Sequence, residues 1–170
     1  MGLQNTRTKG IGCITINTDA SLSGEHHIGG YAFVIVSDQF RIKQSGCFKS
    51  AVLDSTQAEL MAIGNALHTL IKMQDLPMAY WLIINTDSVA SIRKIKDPNC
   101  PTSKKVNALW KKVIHRIKSK KNRIRHVKAH TTKEDARSYV NRWCDENAKF
   151  QMRAALSKHL NNLNISKPIE

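Results

Sequence analysis

Four acidic side chains stand beside apolar stretches of the sequence, where a charge is most costly. Asp19 and Asp87 each close an apolar run that ends in the same tetrapeptide, Ile-Asn-Thr-Asp. Glu59 lies on the apolar stripe of a predicted helix, and Asp145 directly follows Cys144. A lone buried carboxylate is costly without a partner. Taken singly, each acid is therefore more typical of a turn cap, a helix N-terminal charge or a solvated residue.

Taken together, the four acids predict a common partner of positive charge. Clustered carboxylates repel one another, and their pKa values rise, unless a cation lies among them. Ligands that are all oxygen favour a hard ion such as Mg²⁺ or Mn²⁺ over zinc. Two such ions, about 4 Å apart, clamp the attacking and leaving oxygens during in-line attack on a phosphodiester. This chemistry requires that the fold bring the acids together, which their spacing alone does not establish.

The elements that would position these acids follow from the period of the apolar residues. Strands are predicted over Cys13 to Thr18, Tyr31 to Ser37, Arg41 to Lys49, Tyr80 to Thr86 and Asn122 to Val127. Helices are predicted to contain Leu60 to Leu70, with Asp54, Ser55 or Thr56 as the cap, and then Ser88 to Ile95, Ser103 to Ser119 and Tyr139 to Leu156. This order predicts a mixed α/β fold: a five-stranded mixed sheet whose first three strands are antiparallel, with helices packed on it.

The charge of the chain is concentrated in one segment. The 170 residues are 41% hydrophobic and 24% charged, which is typical of one globular domain, and the net charge is +14. Residues 98–133 hold twelve Lys or Arg and no Asp or Glu. Such a segment indicates a polyanionic partner, and nucleic acid rather than a membrane. On the third predicted helix, the lysines on the solvent side are expected to bind substrate: Lys104, Lys105, Lys111 and Lys112.

Other features bound the class of protein. No apolar run approaches the ~18 residues that a membrane span needs, and the N-terminus lacks the apolar core of a signal peptide. The four cysteines form no CxxC pair, so we expect reduced packing residues in a cytoplasmic protein and no zinc site. We divide the chain into a basic leader (residues 1–11), a single domain (12–156) and a C-terminal tail (157–170).

Five short motifs, in this order, resemble those of ribonuclease H of the bacterial single-domain type. They cover nearly the whole chain, from about Ile14 to Arg153, and they fall on the matching predicted elements. The motifs are Thr18-Asp19-Ala20-Ser21 followed by Gly29-Gly30-Tyr31-Ala32, Ala58-Glu59-Leu60-Met61-Ala62, Thr86-Asp87-Ser88, Val127-Lys128-Ala129-His130 and Asn141-Arg142-Trp143-Cys144-Asp145-Glu146-Asn147-Ala148.

The resemblance implies an endonuclease that hydrolyses the RNA strand of an RNA–DNA hybrid and leaves 3′-hydroxyl and 5′-phosphate ends. By match to the family, Asp19 would bridge two Mg²⁺ ions, with Mn²⁺ as a substitute metal. Asp145 would share the ion that activates water, whereas Glu59 and Asp87 would hold the ion at the leaving oxygen. His130 would assist the exchange of metal or product, although a plain loop histidine fits its sequence position equally well.

Residues near the acids are expected to contact the substrate. Ser55, Thr56 and Gln57 replace an asparagine-rich stretch of the family, and their hydroxyl and amide groups are of the kind that reads a 2′-hydroxyl. Ser21 and Ser88, which follow the two strand-end aspartates, complete this predicted set.

Two other functions, a silent binding module and a nuclease that acts on DNA, fit the sequence less well. A catalytically silent nucleic-acid-binding module would be expected to lack one of the acids, and all four are present. Resolvases and other nucleases that act on DNA share acid clusters on related sheets, but the Asn-x-x-Cys-Asp and Lys-Ala-His motifs disfavour them. Both a free-standing protein and the ribonuclease H unit of a larger reverse transcriptase fit the motifs. No protein partner is indicated, and we expect a monomer.

Overall fold

The structure, a computed structural model, describes residues 11–127 and 136–165. In these ranges the chain forms five strands, four α-helices and one 3-10 turn. The strands are β1 (Ile11–Ser23), β2 (Ile28–Val36), β3 (Arg41–Cys47), β4 (Ala79–Thr86) and β5 (Lys121–His126). The helices are α1 (Ser55–Lys72), α2 (Val89–Lys96), α3 (Lys104–Arg116) and α4 (Ala136–Ile165), and the 3-10 turn is Pro101–Ser103.

The five strands form one mixed sheet in the order β3-β2-β1-β4-β5. β1, β2 and β3 are antiparallel neighbours, whereas β4 runs parallel to both β1 and β5. Both the predicted order of elements and the antiparallel arrangement of the first three strands are confirmed. The parallel strands place their carboxyl ends at one edge of the sheet, which is where sites form in sheets of this kind.

One sequence-based expectation about β1 is wrong. Asp19 does not close this strand, because β1 continues to Ser23 through antiparallel pairing with β2, in which Asp19 lies opposite Ala32. The parallel pairing with β4, however, ends at Asn17. Asp19 therefore stands just beyond the end of the parallel ladder, beside the position where Asp87 leaves β4. Pairing with β2 extends β1 past Asp19, and Asp19 still lies at the edge where the parallel strands end.

Helices cover the two faces of the sheet unequally. The main core lies between the sheet and α1, α2 and α3, where Ile14, Phe33, Leu67 and Leu82 are fully buried. On the opposite face, α4 packs on β1, β2 and β3. The alternation of side chains along β1 explains this division, since Ile14 and Ile16 point to the main core while their neighbours face the side of α4. None of the described helices is long and apolar enough to cross a membrane.

α1 and α3 pack side by side, and polar contacts stabilise both ends of α1. Asp54 is the N-cap of α1, because its side chain accepts a hydrogen bond of 2.7 Å from the backbone N–H of Gln57. At the other end, the guanidinium of Arg116 on α3 donates to the carbonyl oxygens of Ile71 and Met73. These carbonyls lie at the C-terminus of α1, where a cation is also favoured by the helix dipole.

The last helix is longer than the apolar pattern predicts. α4 extends from Ala136 to Ile165, whereas the pattern predicts Tyr139 to Leu156. Its final turns expose Leu160 and Leu163, so no burial marks them as helical in the sequence. The first nine residues of the segment assigned as a tail are therefore helical, and the division into domains stays a prediction.

Candidate active site

Three of the four predicted acids meet at the carboxyl edge of the sheet. One carboxylate oxygen from each of Asp19, Glu59 and Asp87 lies within 4.8 Å of the others. Asp19 belongs to β1, Glu59 to the first turns of α1, and Asp87 directly follows β4. Asp19 and Glu59 are only 6% and 7% exposed. The prediction that Glu59 faces inward from its own helix is confirmed.

A backbone amide and a hydroxyl orient the two buried carboxylates. The N–H of Ala20 donates to Asp19 Oδ1 at 2.7 Å and to Glu59 Oε1 at 3.0 Å. The hydroxyl of Thr86 donates to Glu59 Oε2 at 3.4 Å. One donor thus ties a strand residue to a helix residue, which fixes the separation of the two carboxylates. Nothing in the sequence pattern of Ala20 points to this role, because the donor is the backbone.

Burial and mutual repulsion hold both carboxyl groups away from their ionised forms. The pKa of Asp19 rises from 3.8 to about 7, first because the group is buried and then because Asp87 and Asp145 are close. Burial also raises the pKa of Glu59 well above its usual value, and the charges of Asp19 and Asp87 add to the effect. A cation among these groups would favour their ionised forms and relieve the cost.

Asp145 lies outside the compact group of three but close to it. It stands on α4, and its charge contributes to the raised pKa of Asp19. Its own carboxylate is paired with the ammonium of Lys149, one turn further along the helix, at 2.8 Å. Asp19 is therefore flanked by Asp87 and Glu59 on one side and by Asp145 from α4. The sequence pattern did not single out Lys149, although its i,i+4 spacing from Asp145 is the signal that would have found it.

Beneath the acids, an amide pair joins the two central strands. Asn85 Nδ2 donates to Asn17 Oδ1 at 2.8 Å, and both side chains are buried. The two residues occupy the same position in the repeated Ile-Asn-Thr-Asp tetrapeptide, so that repeat was the available signal. Cys144 Sγ lies 3.6 Å from the carbonyl oxygen of Asn17. Burial raises the pKa of this thiol to about 12, which makes it a packing residue.

The predicted substrate-binding residues of α1 lie beside Glu59. Ser55 is exposed, and Thr56 and Gln57 are half-buried in the first turn of the helix. Gln57 Oε1 accepts a hydrogen bond from the N–H of Leu53 at 2.7 Å, so its amide nitrogen is the donor of this side chain. The other two serines differ in their surroundings. Ser21 is half-buried in β1, whereas the Ser88 hydroxyl caps α2 by accepting from the Ser91 N–H at 3.1 Å.

The four predicted lysines of α3 are all exposed, and three of them border two different grooves. Lys105 lines a groove of about 400 Å³ between α1 and α3, which Gln57 also lines. Lys104 and Lys111 line a separate groove of about 530 Å³ between α3, the end of α2 and β5. Lys112 follows Lys105 by seven residues, two helical turns along the same side of α3. His130 lies outside the described residues.

Comparison with known proteins identifies the family. The RNase H family model matches residues 12–153. The chain belongs to the RNase H family. Membership in this family makes the protein a ribonuclease, an enzyme that hydrolyses phosphodiester bonds. No match was found among curated proteins.

Solved RNase H structures share the fold of this chain. The N-terminal RNase H domain of rv2228c from Mycobacterium tuberculosis, solved as a fusion with maltose-binding protein, has a TM-score of 0.63 at 16% identity. This match covers 86% of this chain and 98% of that chain. RNase H1 from the halophilic archaeon Halobacterium salinarum has a TM-score of 0.57 at 17% identity, covering 84% and 99%.

A third RNase H structure was solved with nucleic acid. LC11-RNase H1, isolated from compost by a metagenomic approach, was crystallised in complex with an RNA/DNA hybrid. It has a TM-score of 0.60 at 20% identity, and the match covers 84% of this chain and 99% of that chain. At such identities the likeness shows the fold, so the roles of the residues in this RNase H depend on its own geometry.

Proposed function

We propose that this ribonuclease hydrolyses the RNA strand of RNA–DNA hybrids with two bound Mg²⁺ ions, for which Mn²⁺ can substitute, leaving 3′-hydroxyl and 5′-phosphate ends. The observation that carries the proposal is the group of three carboxylates, Asp19, Glu59 and Asp87, with oxygens within 4.8 Å of one another. The solved complex of the compost relative with an RNA/DNA hybrid supports the choice of substrate.

The donor set fits hard divalent ions. Every candidate ligand atom in the group is a carboxylate oxygen, which is the ligand type that Mg²⁺ and Mn²⁺ prefer. Three ionised carboxylates in so small a volume repel one another, and this repulsion adds to the effect of burial in raising the pKa of Asp19. The site is therefore costly as a set of bare charges and becomes favourable when cations are shared among them.

The position of each acid supports a division of labour. Asp19 lies close to both Asp87 and Asp145, whose charges act on its carboxyl group, so it would help to hold both ions. Asp145 would hold one ion with it, and Glu59 and Asp87 would hold the other. When bound, these ions would activate the attacking water and neutralise charge on the phosphate and the leaving oxygen.

The surrounding groups position the acids and supply no nucleophile of their own. The Ala20 N–H holds Asp19 and Glu59 in fixed orientation before substrate arrives. The Lys149 ammonium holds the Asp145 carboxylate from the neighbouring turn of α4. Burial raises the pKa of the Cys144 thiol to about 12, so this group stays protonated.

The substrate would lie across the sheet edge and the start of α1. The amide nitrogen of Gln57 and the hydroxyls of Ser21, Ser55 and Thr56 are the groups that would read a 2′-hydroxyl. Ser88 contributes more through the cap of α2 than through a free hydroxyl, since its oxygen accepts from Ser91. The lysines of α3 supply the phosphate contacts. We propose that His130 assists the exchange of metal or product.

Cleavage of a strand-labelled hybrid tests this function. Wild-type protein with Mg²⁺ is expected to cut only the RNA strand, and EDTA is expected to stop the reaction. Asp19→Asn removes the ligand assigned to both ions and is expected to lower the rate by at least a hundredfold, which corresponds to the loss of a few kcal/mol of transition-state stabilisation. Asp38→Asn is the matched control, because Asp38 is an exposed acid in the turn between β2 and β3.

The alternatives predict different outcomes of the same experiment. A silent binding module would bind the hybrid without cutting it in Mg²⁺ or Mn²⁺. A nuclease or resolvase that acts on DNA would cut duplex DNA as well as the hybrid. Either result, or an Asp19→Asn variant as active as Asp38→Asn, would overturn the proposal.

A further inference from the structure

Half of one sheet face carries an aromatic and cationic surface that the acid cluster does not use. Leu82, Ile84 and Ile124 point into the main core, so their neighbours on β4 and β5 point to the opposite face. On that face the register places Trp81 beside Lys121, Ile83 beside Arg123 and Asn85 beside Arg125. α4 covers this face at β1, β2 and β3, but Lys121 and Arg123 remain exposed. We call Trp81, Lys121, Arg123 and Arg125 the outer patch, and we add Tyr80, the second residue of β4, because its ring contacts Trp81 and Lys121.

The aromatic rings and the cations of the outer patch are in direct contact. The Lys121 ammonium lies 5.2 Å from the centre of the Trp81 ring and 5.7 Å from that of Tyr80. The Arg123 guanidinium carbon lies 5.9 Å from the Trp81 ring. Tyr80 is 45% exposed, and its ring meets that of Trp81 edge to face at 6.1 Å between centres. Aromatic rings that accompany cations in this way are the combination that binds unpaired bases and their phosphates.

Arg125 adds a hydrogen-bond donor between this patch and the acids. Its Nε atom is buried and has no hydrogen-bond partner among the described residues. A buried donor that is left unpaired costs free energy, so an acceptor placed here would be bound favourably. Arg125 lies opposite Asn85, two residues before Asp87 on β4. It is therefore the residue of the outer patch that lies nearest to the end of β4, where Asp87 stands.

The outer patch and the acid cluster lie along one line of the sheet. Trp81, Ile83 and Asn85 are alternate residues of β4, so their side chains are on the same side of the strand, and Asp87 follows directly after its end. Six residues of strand separate Trp81 from Asp87, which is roughly 20 Å. A strand of nucleic acid that leaves the acid cluster along β4 would reach the two rings with its phosphates beside Arg125, Arg123 and Lys121.

We propose that the outer patch binds single-stranded nucleic acid, the unpaired strand that flanks a hybrid at the acid cluster. The charge of the patch complements a phosphate backbone, and Tyr80 and Trp81 offer ring surface to unstacked bases. Paired bases in a duplex do not expose their faces, so the rings select the single strand. This site goes beyond the proposed cleavage, and its binding is measurable without any cleavage.

Binding of a labelled oligodeoxythymidine tests the site in the full chain. A strand of about 15 nucleotides, in EDTA, is followed by fluorescence anisotropy and by quenching of tryptophan emission. Trp81→Leu is expected to weaken binding roughly tenfold and to remove most of the quenching. Lys121→Glu with Arg123→Glu is expected to weaken binding and to lower the slope of log affinity against log salt by about 0.7 for each lost phosphate contact.

The control is a charge reversal of the same size on another surface. Arg153→Glu with Lys158→Glu changes two exposed residues of α4 and is expected to leave strand binding nearly unchanged. Thermal unfolding of every variant separates lost binding from lost folding, and cleavage of a blunt hybrid should persist in both Trp81→Leu and the Lys121 and Arg123 variant. If the wild type fails to cleave a blunt hybrid, the proposed function is wrong, but the binding of single strands by the outer patch is still tested by the binding experiment.

Three outcomes would overturn the outer patch as a binding site. The first is equal loss of binding in the control and in the Lys121 and Arg123 variant, which would mean a response to net charge alone. The second is duplex DNA bound as tightly as the single strand at this surface. The third is unchanged strand binding in all patch variants, in which case the cations serve only to keep β5 from pairing with another sheet edge.

Discussion

At the scale of single residues, burial of the acid cluster lowers the free energy of unfolding. Asp19 and Glu59 are buried among other acids, and both have raised pKa values. The sequence singled out four acids, which apolar neighbours marked and the family motifs ordered, and three of them meet in one group. It could not predict Ala20 as the shared donor, since any residue supplies the same backbone N–H. Nor did it predict how far burial would raise the pKa values of these acids, because that depends on packing by four separate elements.

The raised pKa of Asp19 makes the metal-free protein less stable as pH rises. An unfolded Asp ionises near pH 4, whereas folded Asp19 ionises only near pH 7. Between these values the unfolded chain holds fewer protons than the folded protein, so the free energy of unfolding falls as pH increases. Asp19→Asn removes this loss. In EDTA at about pH 8 we expect the variant to be more stable by about 1–4 kcal/mol, with the difference shrinking toward pH 4.

Chemical denaturation of both proteins across this pH range measures the effect. Mg²⁺ supplies the control, because it should raise the stability of the wild type at about pH 8 and that of Asp19→Asn much less. A variant that is less stable than the wild type at every pH would show that the Asp19 carboxylate is structurally favourable, contrary to the argument from burial.

At the scale of elements, close packing between α4 and β2 places Asp145. A methyl group on Gly30 of β2 would lie 2.5 Å from the Met152 nitrogen and closer still to the Ala148 carbonyl oxygen, both on α4. Sequence analysis located α4 and its motif correctly but not this contact, because a glycine in a strand does not state which backbone approaches it. The end of α4 was missed for a related reason, since its last turns bury little apolar surface.

Two glycine substitutions, one at this contact and one in α1, are expected to change the free energy of unfolding in opposite directions. Gly30→Ala is expected to destabilise the protein by about 1–3 kcal/mol, because α4 must move away from β2. That movement also carries Asp145, so cleavage should slow. Gly64→Ala in α1 places its methyl group 3.8 Å from Val106, an ordinary contact, and should stabilise by about 0.5–1 kcal/mol. Denaturation of both variants gives the free energies, and equal effects would contradict the close approach at Gly30.

At the scale of the whole molecule, the excess positive charge is distributed over three places. The acid-free segment 98–133 includes α3 and β5, which face different parts of the surface. Arg116 is used inside the fold, where it binds carbonyls at the end of α1. Lys104, Lys105 and Lys111 of α3 border two grooves, and the cations of β5 belong to the outer patch. Net charge predicted a nucleic-acid partner, but it could not say which cations reach the acids, since that depends on the rotation of α3.

The same rotation predicts that the lysines of α3 contribute unequally to hybrid binding. Lys105 borders the groove that Gln57 also lines, two residues from Glu59, whereas Lys111 borders the groove toward β5. Lys105→Ala should weaken hybrid binding more than Lys111→Ala and should lower the salt slope by about one. Lys72→Ala, at the far end of α1, is the control and should change neither quantity. Affinities measured in EDTA over a salt series decide the question. Equal losses for Lys105 and Lys111 would mean that the hybrid contacts both sides of α3, and a larger loss for Lys111 would place the duplex over the β5 groove.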